Sequence, residues 1–461
     1  MSIMIQSLNP VTLEPVWEGR LSLPGDLDAQ LIDARQAFGH WRRQPFAVRA
    51  DALRRYAKCL EAHRTELAHL ITLEMGKPMP ESMGEIQSAI NKIEISIAAY
   101  AERCRDFGFS HPGAVGQVTH RPHGVVVVMG PFNFPLHLPN GHFVPALLAG
   151  NVVIFKPSEL TPAIGVRIGE LMQQAGLPTG VFQVALGGRD VGEYLAAHSE
   201  VDGVLFTGSL NVGLSLMATF AKTPGRMLAL EMGGNNPMVI GTVSDTEHAL
   251  SVLRQSAFLS TGQRCTCIRR IVAVNTPENR DLIASFVADS WQLTWGDPLS
   301  NPAPFLGPLV CVQARDHVLA RQEAYLATGA KALLKAEQPT PHGAFITPGI
   351  LEADGLIPDP DEEVFGPLVR VYWVSTFSDA IRKANDTRYG LAAGCLSDIP
   401  AEQDQFADAI RAGVIAINTP TTGASSQAPF GGVGHSGNLR PAAYYAADYC
   451  AYPMSALRRQ V

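Results

Sequence analysis

Apolar positions along the chain change their spacing near residue 123, and the change divides the sequence into two textures. Before it, Leu53, Tyr56, Ala57, Leu60, Leu67, Leu70 and Ile71 return at helical intervals, and Gly76 with Pro78 ends the run. These residues are expected in a core. After it, short β-branched apolar runs appear at Gly124–Met129, Val152–Phe155, Val181–Leu186, Val204–Thr207 and Met227–Leu230. Helical stretches or turns separate them, notably Ala163–Ala175 and Gly208–Phe220. A strand that is apolar at every position is buried on both faces, and alternation with helices predicts a parallel sheet covered on both sides. A second alternating region runs from Gln255 to about Phe430, with Ile271–Val274 and Val369–Trp373 as strand candidates. The tail from Pro441 carries Tyr444, Tyr445, Tyr449 and Tyr452, an aromatic density expected to pack rather than hang free. The pattern predicts two α/β lobes with a ligand cleft between them.

Length supports that division, since 461 residues exceed one ordinary domain. Apolar residues make up 46% and charged residues 17%, a globular balance, and the net charge of −7 is mild. No Lys/Arg cluster resembles a nucleic-acid footprint, and no apolar stretch approaches the roughly 20 residues that span a bilayer. The first ten residues lack the pattern of a secretory signal. Seven scattered cysteines suit a reducing compartment better than a disulfide framework, so a cytoplasmic protein is expected. No metal is expected.

Three segments carry candidate chemistry. Cys265 lies in Thr261-Gly-Gln-Arg-Cys-Thr-Cys267, and Cys267 beside it reads as a packing thiol. Glu231 lies in Leu230-Glu-Met-Gly-Gly-Asn-Asn-Pro237, a carboxylate followed by two glycines at the end of an apolar strand. Asn133 lies in Gly130-Pro-Phe-Asn-Phe-Pro135, an amide between two prolines. Singly, each has an ordinary structural reading as a buried thiol, a surface carboxylate or a turn-forming Asn. Together they are a thiolate, a base and an oxyanion donor, the parts that covalent acyl chemistry requires.

With Phe155-Lys-Pro-Ser-Glu159, Phe206-Thr-Gly-Ser209, Glu362-Glu-Val-Phe-Gly-Pro367 and Pro429-Phe-Gly-Gly432, these segments resemble, in order, the motifs of the aldehyde dehydrogenase superfamily. The resemblance runs from about residue 10 to the end. It implies an α/β fold with a Rossmann-type NAD-binding domain (1–102 and 123–230), an α/β catalytic domain (231–432) and a small β bridging or oligomerisation element (103–122 and 433–461). It implies that Cys265 attacks the aldehyde and that Asn133 and the Cys265 N–H hold the oxyanion. Glu231 then activates water to hydrolyse a thioester. Gly208, Ser209 and Gly213 would form the pyrophosphate turn, where a helix N-terminus presents N–H groups to an anion. Lys156 and Glu159 would meet the adenosine ribose, and Glu363 and Phe365 the nicotinamide ribose. A carboxylate at Glu159 accepts ribose hydroxyls but repels a 2′-phosphate, which favours NAD over NADP.

Within that family, Ile90-Asn-Lys-Ile93, His137-Leu-Pro-Asn-Gly-His142, Gly262–Cys267 and Tyr444-Tyr-Ala-Ala-Asp-Tyr-Cys450 are similar to a branch whose aldehyde bears two carboxylates and an amide. Such a substrate needs cationic or amide donors. Arg264 beside the nucleophile, with His137, Asn140 and His142, are the candidates, arginine because its planar fork binds both carboxylate oxygens. Another ω-semialdehyde is the alternative substrate, and a non-catalytic protein on the same fold is the alternative class. The bridging strands need a partner sheet, which implies a homodimer or homotetramer.

Overall fold

The computed structural model describes residues 3–354 and 359–459. Two parallel sheets organise it. The first has five strands in the order Phe182–Val184, Val152–Lys156, Val125–Met129, Gly203–Gly208, Met227–Met232, all parallel. Val125–Met129 and Val152–Lys156 are buried at every position, as the apolar runs Val125–Met129 and Val152–Phe155 require. Helices cover both faces, and one continuous core joins Leu27, Leu53, Ile93, Val127, Ile154, Leu205 and Leu230.

The predicted N-terminal helical run is two helices, Phe46–Ala62 and Arg64–Met75, broken at His63. The second ends where Gly76 adopts a left-handed φ of 84°, a conformation that glycine enters without penalty. The next helix, Met79–Arg103, is the longest of the described helices and contributes a wall of the candidate active site.

The second sheet has seven strands in the order Lys331–Leu334, Gly349–Glu352, Leu368–Val374, Ile268–Val274, Asn236–Ile240, Ala392–Leu396, Val414–Ile417. Only the edge strand Lys331–Leu334 is antiparallel. A three-stranded antiparallel sheet joins Phe107–His111, Ala114–Pro122 and the tail strand Ala451–Arg459. The tail is divided in role. Ala446, Ala447, Tyr449, Cys450 and Ala451 are buried with the first core, and only the segment after Cys450 enters the small sheet. No described helix is long and apolar enough to cross a membrane.

The two large sheets meet in a particular polarity. The C-terminal ends of first-sheet strands lead into Gly130–Asn133, Pro157–Glu159, Ser209 and Gly233. The second-sheet strands begin just after Asn235, Cys267 and Pro367. Loops leaving one sheet therefore face loops entering the other, at a crevice of the kind where α/β proteins hold ligands.

Candidate active site

Cys265 sits on a loop held in strained backbone. Ser260 and Thr261 both have φ of 55°, and Gly262 follows at 73°. Such angles cost a side-chain-bearing residue about 1–3 kcal/mol and persist only where surroundings impose them. Here Ser260 donates through Oγ to Glu81, Thr261 Oγ1 donates to the Gly307 carbonyl at 2.9 Å, and Val310 N–H donates to Gln263 Oε1 at 2.9 Å. A Cβ on Gly262 would fall against the Gly366 carbonyl, so glycine is required there for space as well as angle. The loop delivers a half-buried Cys265 whose backbone N–H donates to no protein group among the described residues. Burial pushes its thiol well up, and the Glu363 and Glu231 carboxylates push the same way.

Asn133 is 3% exposed, and its Nδ2 donates to the Gln263 carbonyl at 2.9 Å, two residues before the nucleophile. That bond uses one amide hydrogen and leaves the other for an oxyanion. Beneath it lies a fully buried pair, Lys77 and Glu85. Lys77 also donates to the Asn133 carbonyl at 2.9 Å, while Glu85 Oε1 accepts the N–H groups of Leu136 and His137 at 2.9 and 3.0 Å. One ion pair thus fixes Asn133 and caps the helix that follows it. Neither residue belongs to the motifs that point to the site, although a lysine between Gly76 and Pro78 and a glutamate on the apolar face of a helix are visible anomalies in the sequence.

Glu231 is 4% exposed in the last strand of the first sheet. Burial pushes its carboxyl up to about 8, against the Ala442 N–H, which donates to Oε1 at 3.2 Å, and the charge of Lys92. Its charge is one of those that push the Cys265 thiol up.

The cofactor candidates line the same crevice. Ser209 precedes the helix Leu210–Phe220 without using its side chain as a cap, so the first-turn N–H groups stay available to an anion. A Cβ on Gly213 would meet the Met232 side chain, which keeps helix and strand in close approach. Lys156 Nζ donates to the Pro157 and Gly187 carbonyls at 3.0 and 2.7 Å and lies 3.8 Å from the exposed Glu159 carboxylate. Glu363 Oε1 is buried with no partner among the described residues, and burial pushes that carboxyl up to about 7. An orphaned acceptor is what a ribose hydroxyl would satisfy. Phe365 packs edge-on against Phe132 at 5.8 Å, with the Arg269 guanidinium 5.4 Å from its centroid. These residues fit a dinucleotide.

The expected carboxylate donors are placed differently from one another. Arg264 is committed internally. Its Nη2 donates to Glu81 at 2.7 Å, its Nε to Ser260 Oγ at 3.0 Å, and its guanidinium lies 5.1 Å from the Phe134 centroid. Asn140 and His142, expected as substrate donors, are engaged within the fold. Asn140 is fully buried and donates to the Ala89 carbonyl at 2.9 Å. His142 is 2% exposed and spans Tyr449 Oη at 3.1 Å and Thr207 Oγ1 at 2.9 Å, with burial pushing its pKa down to about 3. Asn140 lies three positions past His137 on the same helix, and it is the Ala89 carbonyl on the adjoining long helix that holds it in the packing, whereas His142, five positions past, turns onto Tyr449 and Thr207. His137 is half-buried, and its Nδ1 has no partner among the described residues. Cys267 is buried, with its thiol toward the Leu259 carbonyl at 3.8 Å. A hollow lined by Asp354, Tyr372, Trp373 and Lys383 contains none of the candidate residues. Among the described residues no group of three or more His, Cys, Asp or Glu is placed to hold a metal.

A thiol, a buried base, a free amide hydrogen and a dinucleotide crevice converge as covalent aldehyde oxidation demands. The chain belongs to the aldehyde dehydrogenase family, whose model matches residues 2–453. Among its relatives, the N-succinylglutamate 5-semialdehyde dehydrogenase of Paraburkholderia xenovorans is 47% identical over 98% of this chain and 93% of that one. The protein of the same name from Ectopseudomonas mendocina is 46% identical over 99% and 94%. The structure of the P. syringae indole-3-acetaldehyde dehydrogenase in complex with NAD+ superposes with a TM-score of 0.93 at 31% identity, covering 99% of this chain and 93% of that one.

Proposed function

We propose that this enzyme oxidises N-succinyl-L-glutamate 5-semialdehyde to N-succinyl-L-glutamate with NAD, in arginine degradation by the succinyltransferase route. The observation that carries the chemistry is Glu231, a buried carboxylate whose charge acts on the candidate nucleophile. Passing an acyl group to phosphate or coenzyme A needs no such base, whereas making a free acid does. The relatives' shared name supports the substrate.

Cys265 releases its proton to water and attacks the aldehyde carbon as thiolate, and the free hydrogen of the Asn133 amide and the Cys265 N–H receive the oxyanion. Such a donor is worth on the order of 10²–10³ in rate. Bound NAD supplies the hydride acceptor, and the carbon left behind is a Cys265 thioester. Glu231 takes a proton from water, the hydroxyl adds to the thioester carbon, and the thiolate departs with the free acid as product. Glu363 would accept from the nicotinamide ribose and Glu159 from the adenosine ribose, with Ser209 and Gly208 at the pyrophosphate.

The active unit in this reading is a cytoplasmic homodimer or homotetramer. Val212, Leu214 and Met217 are exposed together on the helix Leu210–Phe220, and the edge strand Phe107–His111 exposes Phe107 and Phe109. Exposed apolar groups and an open strand edge each favour self-association. The test of the function is a substrate panel with NAD. The dicarboxylic semialdehyde should show the highest kcat/KM, and a higher value for succinate semialdehyde or a neutral aldehyde overturns the substrate assignment.

A further inference from the structure

Lys92 is a buried cation without a counter-ion. It lies on the inward face of Met79–Arg103, is 5% exposed, and has no ion-pair partner among the described residues. Its Nζ donates to Ser426 Oγ at 3.4 Å, a long contact, and packs over Gly141, where an added Cβ would stand 3.3 Å from the nitrogen. Lys77, on the same wall of the protein, shows the ordinary arrangement, a buried ammonium matched by Glu85. Desolvating an ammonium is costly unless it is paired, so an unmatched one has a use that the unliganded structure does not display.

Its neighbours show what that use is. Lys92 lies over Gly141 of the helix that follows Asn133, the residue bonded to the Gln263 carbonyl on the nucleophile's loop, and the carboxylate whose charge acts on it is Glu231. Lys92 also acts electrostatically on His137, half-buried, with an Nδ1 that has no partner among the described residues. Gly141, one helical turn beyond His137, has no side chain to fill the space over which the ammonium lies. Lys92 Nζ, with donors to spare, His137 Nδ1, with no partner among the described residues, and the Ser426 hydroxyl come from the long helix, the helix after Asn133 and the loop bearing Ser426. Arg264, the cation nearest in sequence to Cys265, is already engaged by Glu81.

We propose that Lys92, with Ser426 and His137, is the anion subsite that receives a carboxylate of the substrate, and that it rather than Arg264 sets the preference for acidic semialdehydes. A lysine is suited to this as a compact charge carrying three donors, of which Ser426 takes one. The inference rests on the substrate reading above and sharpens it to a residue.

The test compares wild type with Lys92→Met, an apolar near-isostere, and Lys92→Arg, which keeps the charge. For each, kcat/KM is measured on N-succinylglutamate semialdehyde and on hexanal with saturating NAD, and the dissociation constant of N-succinylglutamate is measured by calorimetry. The acidic-over-neutral ratio should fall on the order of 10²-fold in Lys92→Met, carried by KM, and recover partly in Lys92→Arg. Product binding should weaken in parallel. Because an unmatched buried charge is removed, Lys92→Met should also melt at a higher temperature than wild type, which separates loss of function from loss of fold. Equal losses on both aldehydes, or a shifted pH profile with an unchanged ratio, would show that Lys92 acts through Glu231 and overturn the proposal. If wild type itself prefers hexanal, the substrate reading fails first, and this inference with it.

Discussion

The raised pKa of Glu231 makes a quantitative demand on turnover. With its carboxyl at about 8, about one-tenth is ionised at pH 7 and about a hundredth at pH 6, whereas an ordinary glutamate would be wholly ionised at both. Only the ionised form can take a proton from water, so thioester hydrolysis should rise about tenfold between pH 6 and 7 and level above pH 8. Burial is the cause, and the Ala442 N–H and Lys92 moderate it without cancelling it. Glu231→Gln keeps the volume and removes the base. In stopped-flow NADH measurements it should give one rapid burst per site and then stall, with steady turnover lower by roughly 10²–10⁴-fold and the pH limb gone. Mass spectrometry of the stalled variant should find the acyl group on Cys265. A limb at the same pH in Glu231→Gln, or a variant with no burst and full steady turnover, would refute the assignment of the base.

Cys265→Ser should abolish dehydrogenase turnover, and iodoacetamide should inactivate wild type with one label on Cys265 that bound NAD and substrate slow, since an alkoxide is not available at neutral pH; turnover that survives the substitution sinks the mechanism. Arg264→Ala should lower stability by about 2–4 kcal/mol in urea unfolding by leaving Glu81 unmatched, while cutting kcat/KM equally for acidic and neutral aldehydes. Glu159→Gln should improve NADP use relative to NAD by about tenfold, read as the ratio of the two Michaelis constants, because the exposed carboxylate near Lys156 no longer repels a 2′-phosphate. Glu74 caps the helix Pro162–Gln174 through Ala163 and Ile164 N–H at 2.9 and 3.0 Å, and burial raises its pKa to about 7. A raised folded-state pKa stabilises fully below about 4.5 and is lost as pH rises through 7, so wild type should unfold at less urea at pH 8 than at pH 6, and Glu74→Gln should narrow the difference.

Much of the architecture is legible along the chain because a doubly covered parallel sheet leaves a local trace. Val125–Met129 and Val152–Phe155 are apolar at every position, and no surface strand would be. The second sheet leaves a weaker one. Asn236–Ile240 and Ala392–Leu396 carry no strand pattern of their own, since Asn-Pro opens the first and alanines with a glycine dominate the second, and both acquire strand character from the neighbours they pair with. Motif spacing points to Cys265, Glu231 and Asn133 because each lies in a loop or at a strand end next to one.

What one-dimensional order settled was the inventory, namely which segments carry a thiol, a carboxylate and an amide, and which strands they adjoin. What the tertiary structure decided was which polar groups remain free. Arg264 and His142 look like substrate donors by proximity to the motifs, yet Glu81, Tyr449 and Thr207 occupy them, and Asn140 is fully buried with its amide on the Ala89 carbonyl. Lys77 and Lys92 line the same wall and share a chemistry, and only the presence of Glu85 beside one and its absence beside the other separates a structural cation from an available one. Hydrogen bonds and ion pairs are satisfied across distances of tens to hundreds of residues, so a donor's vacancy is a property of the folded neighbourhood and has no local signature in the chain.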